Sequence, residues 1–254
     1  MIRIMLSGCN GRMGQAIVAA VAGMDTMNII AGVDTFTEKK NEFPVYSDAM
    51  EYGGQADVVI DFSNPSSLSS ILSYCITKHT PLVLATTGHT EQQIAEIESA
   101  TAKVAVFRSA NMSLGINLIT ELAKQTTKLL AGAYDIEIVE SHHNQKLDAP
   151  SGTALLIADA VKSVFPSGDA EYIYNRQDRR EKRGKNEIGI HSIRGGTIVG
   201  DHNILFAGND ELIEIRHSAL SRSVFANGAI KAAAFMADKT TGLYSMEDII
   251  REIL

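Results

Sequence analysis

The stretch that most limits how this chain can fold lies at its start. Residues 2–6 form a short apolar run suited to a strand, Gly8, Gly11 and Gly14 follow at even spacing, and Ile17, Val18 and Val21 carry an apolar helical face onward from Gly14. Strand, glycine turn and helix in direct succession are the context of a dinucleotide-binding loop. Gly8 permits the tight turn, Gly11 lets the backbone approach a pyrophosphate, and Gly14 lets helix and sheet pack closely, with phosphates held on N–H groups at the positive end of the helix. A tight strand-to-helix turn that binds nothing has the same spacing, so the next strand matters. Residues 28–33 end at Asp34, about twenty residues beyond the loop, where a carboxylate either accepts from an adenosine ribose or simply opens a polar turn. A carboxylate there repels a 2′-phosphate, while Thr35 is small and Lys39 and Lys40 follow closely. The expected cofactor is therefore NADH, with some use of NADPH.

The rest of the first half repeats the alternation. Residues 56–62 read as a strand buried on both faces, 68–75 as a crossover helix and 81–87 as the next strand. Thr90 and Gln93 form a capping box that opens a further helix, and 104–108 is another strand. This order predicts an α/β chain with a Rossmann-type, doubly wound parallel sheet and ligands beyond the carboxyl ends of its strands. Thr86, Thr87 and Gly88, and Ser109, Ala110, Asn111 and Met112, stand at those ends. They are either ordinary polar turns or the lining beside a nicotinamide and its ribose.

After a long helix over 114–130 the character changes. Residues 133–140 alternate like a strand, 154–165 form a helix stopped by Pro166-Ser167-Gly168, and strand-like runs crowd together at 188–194, 197–199, 203–206 and 212–217. Strands so close cannot be joined by helices, which predicts a mostly antiparallel sheet with one face on helices and the other offered to a partner. A helix over 222–237 and a last one started by Ser245 and Asp248 return to the first pattern. The expected division is a dinucleotide-binding domain of residues 1–113 and 222–254 with an inserted α+β domain, 114–221.

Residues 140–156, ESHHNQKLDAPSGTALL, crowd His142, His143 and Lys146 ahead of a helix start. Pro150 suits that start, and Ser151-Gly152-Thr153 offer hydroxyls and backbone N–H groups to an anion. Helix-end stabilisation is worth about 0.3–1 kcal/mol when exposed and about 2 at most. A lysine ammonium ~4 Å from a carboxylate contributes about 4 kcal/mol at an effective dielectric near 20, before desolvation, so Lys146 is the expected anchor or acid. Extended backbone sends His142 and His143 to opposite sides. Each is either a hydrogen-bonded structural residue or a proton-transfer group. Adjacent histidines without a spaced set of further ligands make no zinc site. The run 175–187, with Arg176, Arg179, Arg180, Lys182, Arg183 and Lys185, is either a solvated loop or an attractor of anions.

Composition excludes several classes. A net charge of -7 disfavours non-specific nucleic-acid binding, though not a small anionic ligand. No apolar stretch approaches the roughly 20 residues that span a bilayer, and the start carries no signal-peptide pattern. Cys9 and Cys75 make no disulfide framework. A cytoplasmic protein is expected.

GCNGRMG at 8–14, ATTG at 85–88, ESHHNQKLDAPSGTA at 140–154 and FANGA at 225–229 together closely resemble dihydrodipicolinate reductase, also called 4-hydroxy-tetrahydrodipicolinate reductase, of bacterial lysine and diaminopimelate biosynthesis. The likeness runs over essentially the whole chain. It implies NADH- or NADPH-dependent reduction of a small cyclic dicarboxylate imine, with no metal, and a homotetramer built through the sheets of the inserted substrate-binding and oligomerisation domain. By this resemblance His142 and Lys146 are the proton donors, His143 binds substrate, and Gly152 and Thr153 contact a substrate carboxylate. The cofactor contacts it implies are Gly8, Cys9, Asn10, Gly11, Arg12, Met13, Asp34, Thr86, Thr87, Gly88, Ser109, Ala110, Asn111 and Met112, with domain closure bringing hydride and acid together. Asn144 and Gln145 stand where many members carry basic residues. Rival readings are a non-catalytic dinucleotide sensor and a dehydrogenase with a nucleophilic cysteine, for which neither Cys9 nor Cys75 is well placed.

Overall fold

The computed structural model describes residues 1–38, 41–165, 169–177 and 179–253; Lys39, Lys40, Asp178 and the expected helix stop Pro166-Ser167-Gly168 lie outside the described residues. In chain order the elements are β1 (Ile2–Ser7), α1 (Arg12–Val21), β2 (Met27–Val33), β3 (Val45–Tyr46), β4 (Val58–Asp61), α2 (Leu68–Lys78), β5 (Leu82–Leu84), α3 (Glu91–Ala100), β6 (Ala105–Arg108) and α4 (Leu114–Leu130). There follow β7 (Asp135–His142), α5 (Gly152–Ser163), β8 (Glu171–Ile173), β9 (Glu187–Arg194), β10 (Gly200–Ala207), β11 (Leu212–Ala219), α6 (Ser223–Met236), β12 (Gly242–Tyr244) and α7 (Met246–Ile253). They divide into two compact units, Met1–Leu114 with Arg222–Leu254, and Gly115–Ser221.

The first unit holds a sheet of seven described strands in the order β12-β6-β5-β4-β1-β2-β3. Every pairing is parallel. Parallel strands need covered faces, and β4 and β5 are buried along their whole length. One face carries Ile17 and Val21 of α1, Ala229, Ala233 and Met236 of α6, and Ile249 of α7. The other carries Leu68, Ile71 and Leu72 of α2 and Ile97 of α3. Each large aliphatic side chain so buried contributes roughly 1.5–3 kcal/mol. The strand order reverses at β1, between β4 and β2, so the loop leaving β1 opens at the switch point of the sheet. The edge strands β3 and β12 have two and three residues, too short to show a period in sequence.

The second unit corrects the expectation of a mostly antiparallel sheet. Its strands lie in the order β11-β10-β7-β9-β8; β10 is antiparallel to β11 and β7, whereas β9 is parallel to β7 and β8. The closeness of β9 and β10 in sequence misled because they are not neighbours, β7 lying between them. Their short link crosses the end of β7, where Gly195 N–H donates to the His142 carbonyl at 2.9 Å and Asn144 N–H to that of Gly196 at 3.2 Å. Thr197–Val199, expected as a strand, belongs to this link.

On the helix side of this sheet Ile136, Ile138, Ile188, Ile190, Ile204 and Phe206 pack on Ala154, Ile157 and Val161 of α5. One step further along the same face the residues turn polar. Glu140 stands opposite Ser192 and His202, and His142 opposite Arg194. On the far face Glu137 takes ion pairs from Arg183 and Arg176, and its carboxylate fills the space a side chain at Gly189 would need. Arg176 and Arg179 also pair with Glu187. These three arginines of the 175–187 run are therefore spent within their own unit rather than left to gather anions.

Candidate active site

The glycine loop is shaped by close backbone approach. Gly8 has φ +76°, and a Cβ there would lie 2.3 Å from the Phe62 carbonyl oxygen at the end of β4, so no other residue fits. A Cβ on Gly14 would meet the Gly8 carbonyl oxygen at 2.1 Å. Gly14 thus lets the helix close on its own loop more than on the sheet. Gly11 differs, its nearest neighbour being the Gly8 oxygen at 3.3 Å, so its outer side is open. It is the N-cap of α1, without a side-chain cap bond and without an acid in the first turn. The orphan N–H groups of that turn are what an anion can use.

The rest of the loop is tied to Asp34. Its carboxylate accepts from Asn10 N–H at 2.9 Å and Phe36 N–H at 3.0 Å. The Asn10 side chain donates to the Phe36 carbonyl at 2.5 Å and accepts from Asn41 at 2.9 Å. Asp34 therefore organises the loop besides being placed for a ribose. The Cys9 thiol is buried beneath Gly32, where an added Cβ would sit 2.6 Å from Sγ, so Cys9 can serve a ligand only through its backbone. Arg12 is exposed at the start of α1.

Beyond the ends of β4, β5 and β6, Met13, Phe62, Ala85, Phe225 and the run Ser109–Met112 line a pocket of about 190 Å³. The geometry of FANGA now has a reason: Phe225 lines this pocket, and Gly228 lets α6 rest on the Met112 carbonyl, which a Cβ would strike at 1.6 Å. Asn111 accepts from Ser113 N–H at 2.8 Å, and the Ser109 hydroxyl donates to the Asn111 carbonyl at 2.9 Å. The two threonines of ATTG part company. The Thr86 hydroxyl donates to buried Asp61 at 2.6 Å and accepts from Ser63 N–H at 2.9 Å, so it holds the strand ends together. Thr87 and Gly88 are exposed, and Gly88 is needed for its φ of +85°.

In the second unit the organising group is Glu140, which sequence reasoning missed. Fully buried, it takes Arg194 on both oxygens at 2.8 Å, His142 Nδ1 at 2.6 Å and Ser151 N–H at 3.1 Å. Burial alone would raise its pKa, but Arg194, His142, the Ser192 hydroxyl and Ser151 N–H outweigh that and hold it at about 2. His202 packs edge-on against His142 with ring centroids 5.3 Å apart and meets the Ser151 hydroxyl at 3.2 Å. Burial, and then the neighbouring His142, push its pKa down to about 4. The only advance signal was the position of Glu140, two residues before His142 on one strand.

Lys146 lies in a turn closed by its N–H on the His143 carbonyl at 3.1 Å, and its ammonium pairs with Asp148 at 2.9 Å. This holds the Asp148 carboxyl below its usual range. His142 is buried, while His143, one place beyond β7, is half-buried. Ser151 departs from the expected anion grip. As N-cap of α5 its hydroxyl accepts from Ala154 N–H at 3.1 Å, and its own N–H is given to Glu140. Gly152 and Thr153 are the first two residues of α5, whose opening turn carries no acid, and Gly152 faces open space.

Two family models cover nearly all of this chain: "Dihydrodipicolinate reductase, N-terminus" matches residues 2–112 and "Dihydrodipicolinate reductase, C-terminus" residues 115–250. The 4-hydroxy-tetrahydrodipicolinate reductase of Clostridium tetani is 52% identical over 247 residues, 97% of this chain and 96% of that one. That of Caldanaerobacter subterraneus is 49% identical over 99% of both. Among solved structures, dipicolinate-bound dihydrodipicolinate reductase from Paenisporosarcina sp. TG-14 superposes with a TM-score of 0.81 at 27% identity, covering 98% of this chain and 99% of that one. A probable dehydrogenase from Thermotoga maritima, at 12% identity and TM-score 0.63, shares the fold. By these matches over both units, the chain belongs to the dihydrodipicolinate reductase family.

Proposed function

We propose that the protein reduces 4-hydroxy-tetrahydrodipicolinate (dihydrodipicolinate) to tetrahydrodipicolinate with NADH or NADPH, in lysine and diaminopimelate biosynthesis. The observation that carries this reading is the end of β7, where His142, Lys146 and the start of α5 at Gly152 and Thr153 bring two proton-bearing groups and a helix N-terminus into one short stretch.

The first unit fits a dinucleotide. The outer side of Gly11 is open for a pyrophosphate, and Gly8, Cys9, Asn10, Arg12 and Met13 supply the rest of the loop. Asp34 keeps acceptor capacity for a ribose beyond its two N–H bonds, which favours NADH over NADPH. Ser109, Ala110, Asn111 and Met112 line the pocket assigned to the nicotinamide end, exposed Thr87 and Gly88 after β5 are assigned to the same end, and Thr86 is bonded to Asp61. Bound there, the nicotinamide supplies a hydride.

In the second unit Gly152 and Thr153 hold a substrate carboxylate, and His143 and the Lys146 ammonium add to that grip. As hydride reaches the substrate ring carbon, His142 or Lys146 gives its proton to the charge that develops, a contribution of roughly 10²–10⁴ in rate. The exposed Ile193 on the far face of the sheet is consistent with a homotetramer joined through these sheets. Cys9 and Cys75 are buried thiols outside any disulfide, which suits the cytoplasm.

Consumption of NADH and NADPH, followed with the imine precursor generated freshly in a coupled assay, tests the reading. The expected result is oxidation of both nucleotides, faster per unit KM with NADH, and inhibition by pyridine-2,6-dicarboxylate. A chain that binds NADH but turns over nothing is a sensor; equal or better efficiency with NADPH removes the stated preference.

A further inference from the structure

Glu140 holds more donors than a structural clasp needs. Arg194, which also donates to the Asp148 carbonyl at 2.5 Å, would with Ser151 N–H suffice to tie β7, β9 and the start of α5 together. Yet the same carboxylate reaches His142 Nδ1 at 2.6 Å, just below the short end of charge-assisted N–H···O bonds. An ionised carboxylate only accepts, so Nδ1 must carry a proton. The ring has little freedom to do otherwise. A Cβ on Gly200 would come within 3.0 Å of His142 Nε2, and His202 closes another side edge-on. Among the described residues, the charged and titratable groups in contact with the ring are Glu140 on β7 and His202 on β10, with Arg194 on β9 acting through Glu140. Arg194, doubly bonded to Glu140, is thereby withdrawn from direct service as an anion ligand.

We propose that Glu140 is a positioning residue for the reduction: it keeps the His142 proton at Nδ1 in place, so that Nε2 alone exchanges a proton with substrate. The inference rests on the assignment of His142 as an acid in the proposed function. In the step concerned the Nε2–H bond of the imidazolium breaks, its proton passes to the reduced substrate, and a neutral imidazole protonated at Nδ1 remains on the Glu140 carboxylate. Reprotonation then occurs at Nε2.

The test joins nitrogen-15 NMR of the His142 ring with steady-state kinetics on the intact protein. In the wild type the neutral His142 ring should be protonated at Nδ1; a neutral ring protonated at Nε2 would overturn the proposal, and this measurement needs no variant. In Glu140→Gln the amide can present N–H to Nδ1, which should move the proton to Nε2 and lower kcat by roughly 100-fold or more. KM for the dinucleotide should stay within about twofold of the wild type. An unchanged ring tautomer together with unchanged kcat in a folded Glu140→Gln protein would also overturn it. If the wild type reduces no imine, the functional reading fails by itself, and the ring measurement still decides whether Glu140 fixes the His142 tautomer.

Discussion

The glycine loop of the first unit and the sheet end of the second are built of opposite materials. Around Gly8, Gly11 and Gly14 the shape is made by backbone and by the absence of side chains. At the end of β7 it is made by buried charge, with Glu140 at the centre of donors from Arg194, His142, Ser151 and Ser192. At Gly8 and Gly14 the first kind tolerates no added atom. The second tolerates atoms but not a change of charge or protonation, because each unpaired buried group would cost several kcal/mol.

The largest expected effect is on turnover. Lys146→Ala and His142→Gln should each lower kcat by roughly 10²–10⁴ while leaving dinucleotide binding unchanged. Steady-state kinetics would break the contrast if either variant raised only KM. Next comes Gly14→Ala, whose Cβ has no room. Its dinucleotide affinity should fall by about 100-fold, equivalent to about 2.7 kcal/mol. Gly11→Ala should instead lower the melting temperature less than Gly14→Ala while still losing affinity, which fluorescence titration of NADH separates.

A smaller effect distinguishes the paired threonines. Thr86→Val leaves buried Asp61 and Ser63 N–H short of a partner and should destabilise the protein by roughly 1–3 kcal/mol, whereas Thr87→Val should stay within about 0.5 kcal/mol. Equal denaturation midpoints would put Thr86 among ligand contacts instead. The smallest effect is on pH. With its folded pKa pushed down to about 4, neutral His202 contributes stability that is present above its ordinary range and lost as the pH falls from about 6.5 through 4. Glu140 contributes stability that is lost later, as the pH falls from the usual glutamate range towards about 2. His202→Gln should flatten the first part of the acid unfolding curve and leave the second.

The same contrast explains what could be read in advance. Glycine spacing and alternating apolar runs are local patterns, so the loop, the parallel sheet and the Thr90–Gln93 capping box are legible in the sequence. Glu140 was not, because its meaning depends on Arg194 and His202, which lie more than fifty residues away and meet it only through strand register. Strand adjacency in the second sheet was misread for a related reason: proximity in sequence gives no order when a third strand can slip between two others. Pro150 marked the region of a helix start, but the hydroxyl and N–H of Ser151, expected to serve an anion, are already claimed inside the fold.

The packing of α6 also bears on how the chain is made. Gly228 presses on Met112, and Ala226, Ala229 and Ala233 complete a core begun by β1, so the first sheet cannot close over that face until residues far downstream exist. On a ribosome adding roughly 5–20 residues per second, the intervening stretch of about a hundred residues imposes a wait of about 5–20 s, during which Gly115–Ser221 can finish folding first. The half-made nucleotide unit would spend that interval with an apolar face uncovered, an opening for chaperones and a hazard when synthesis stalls.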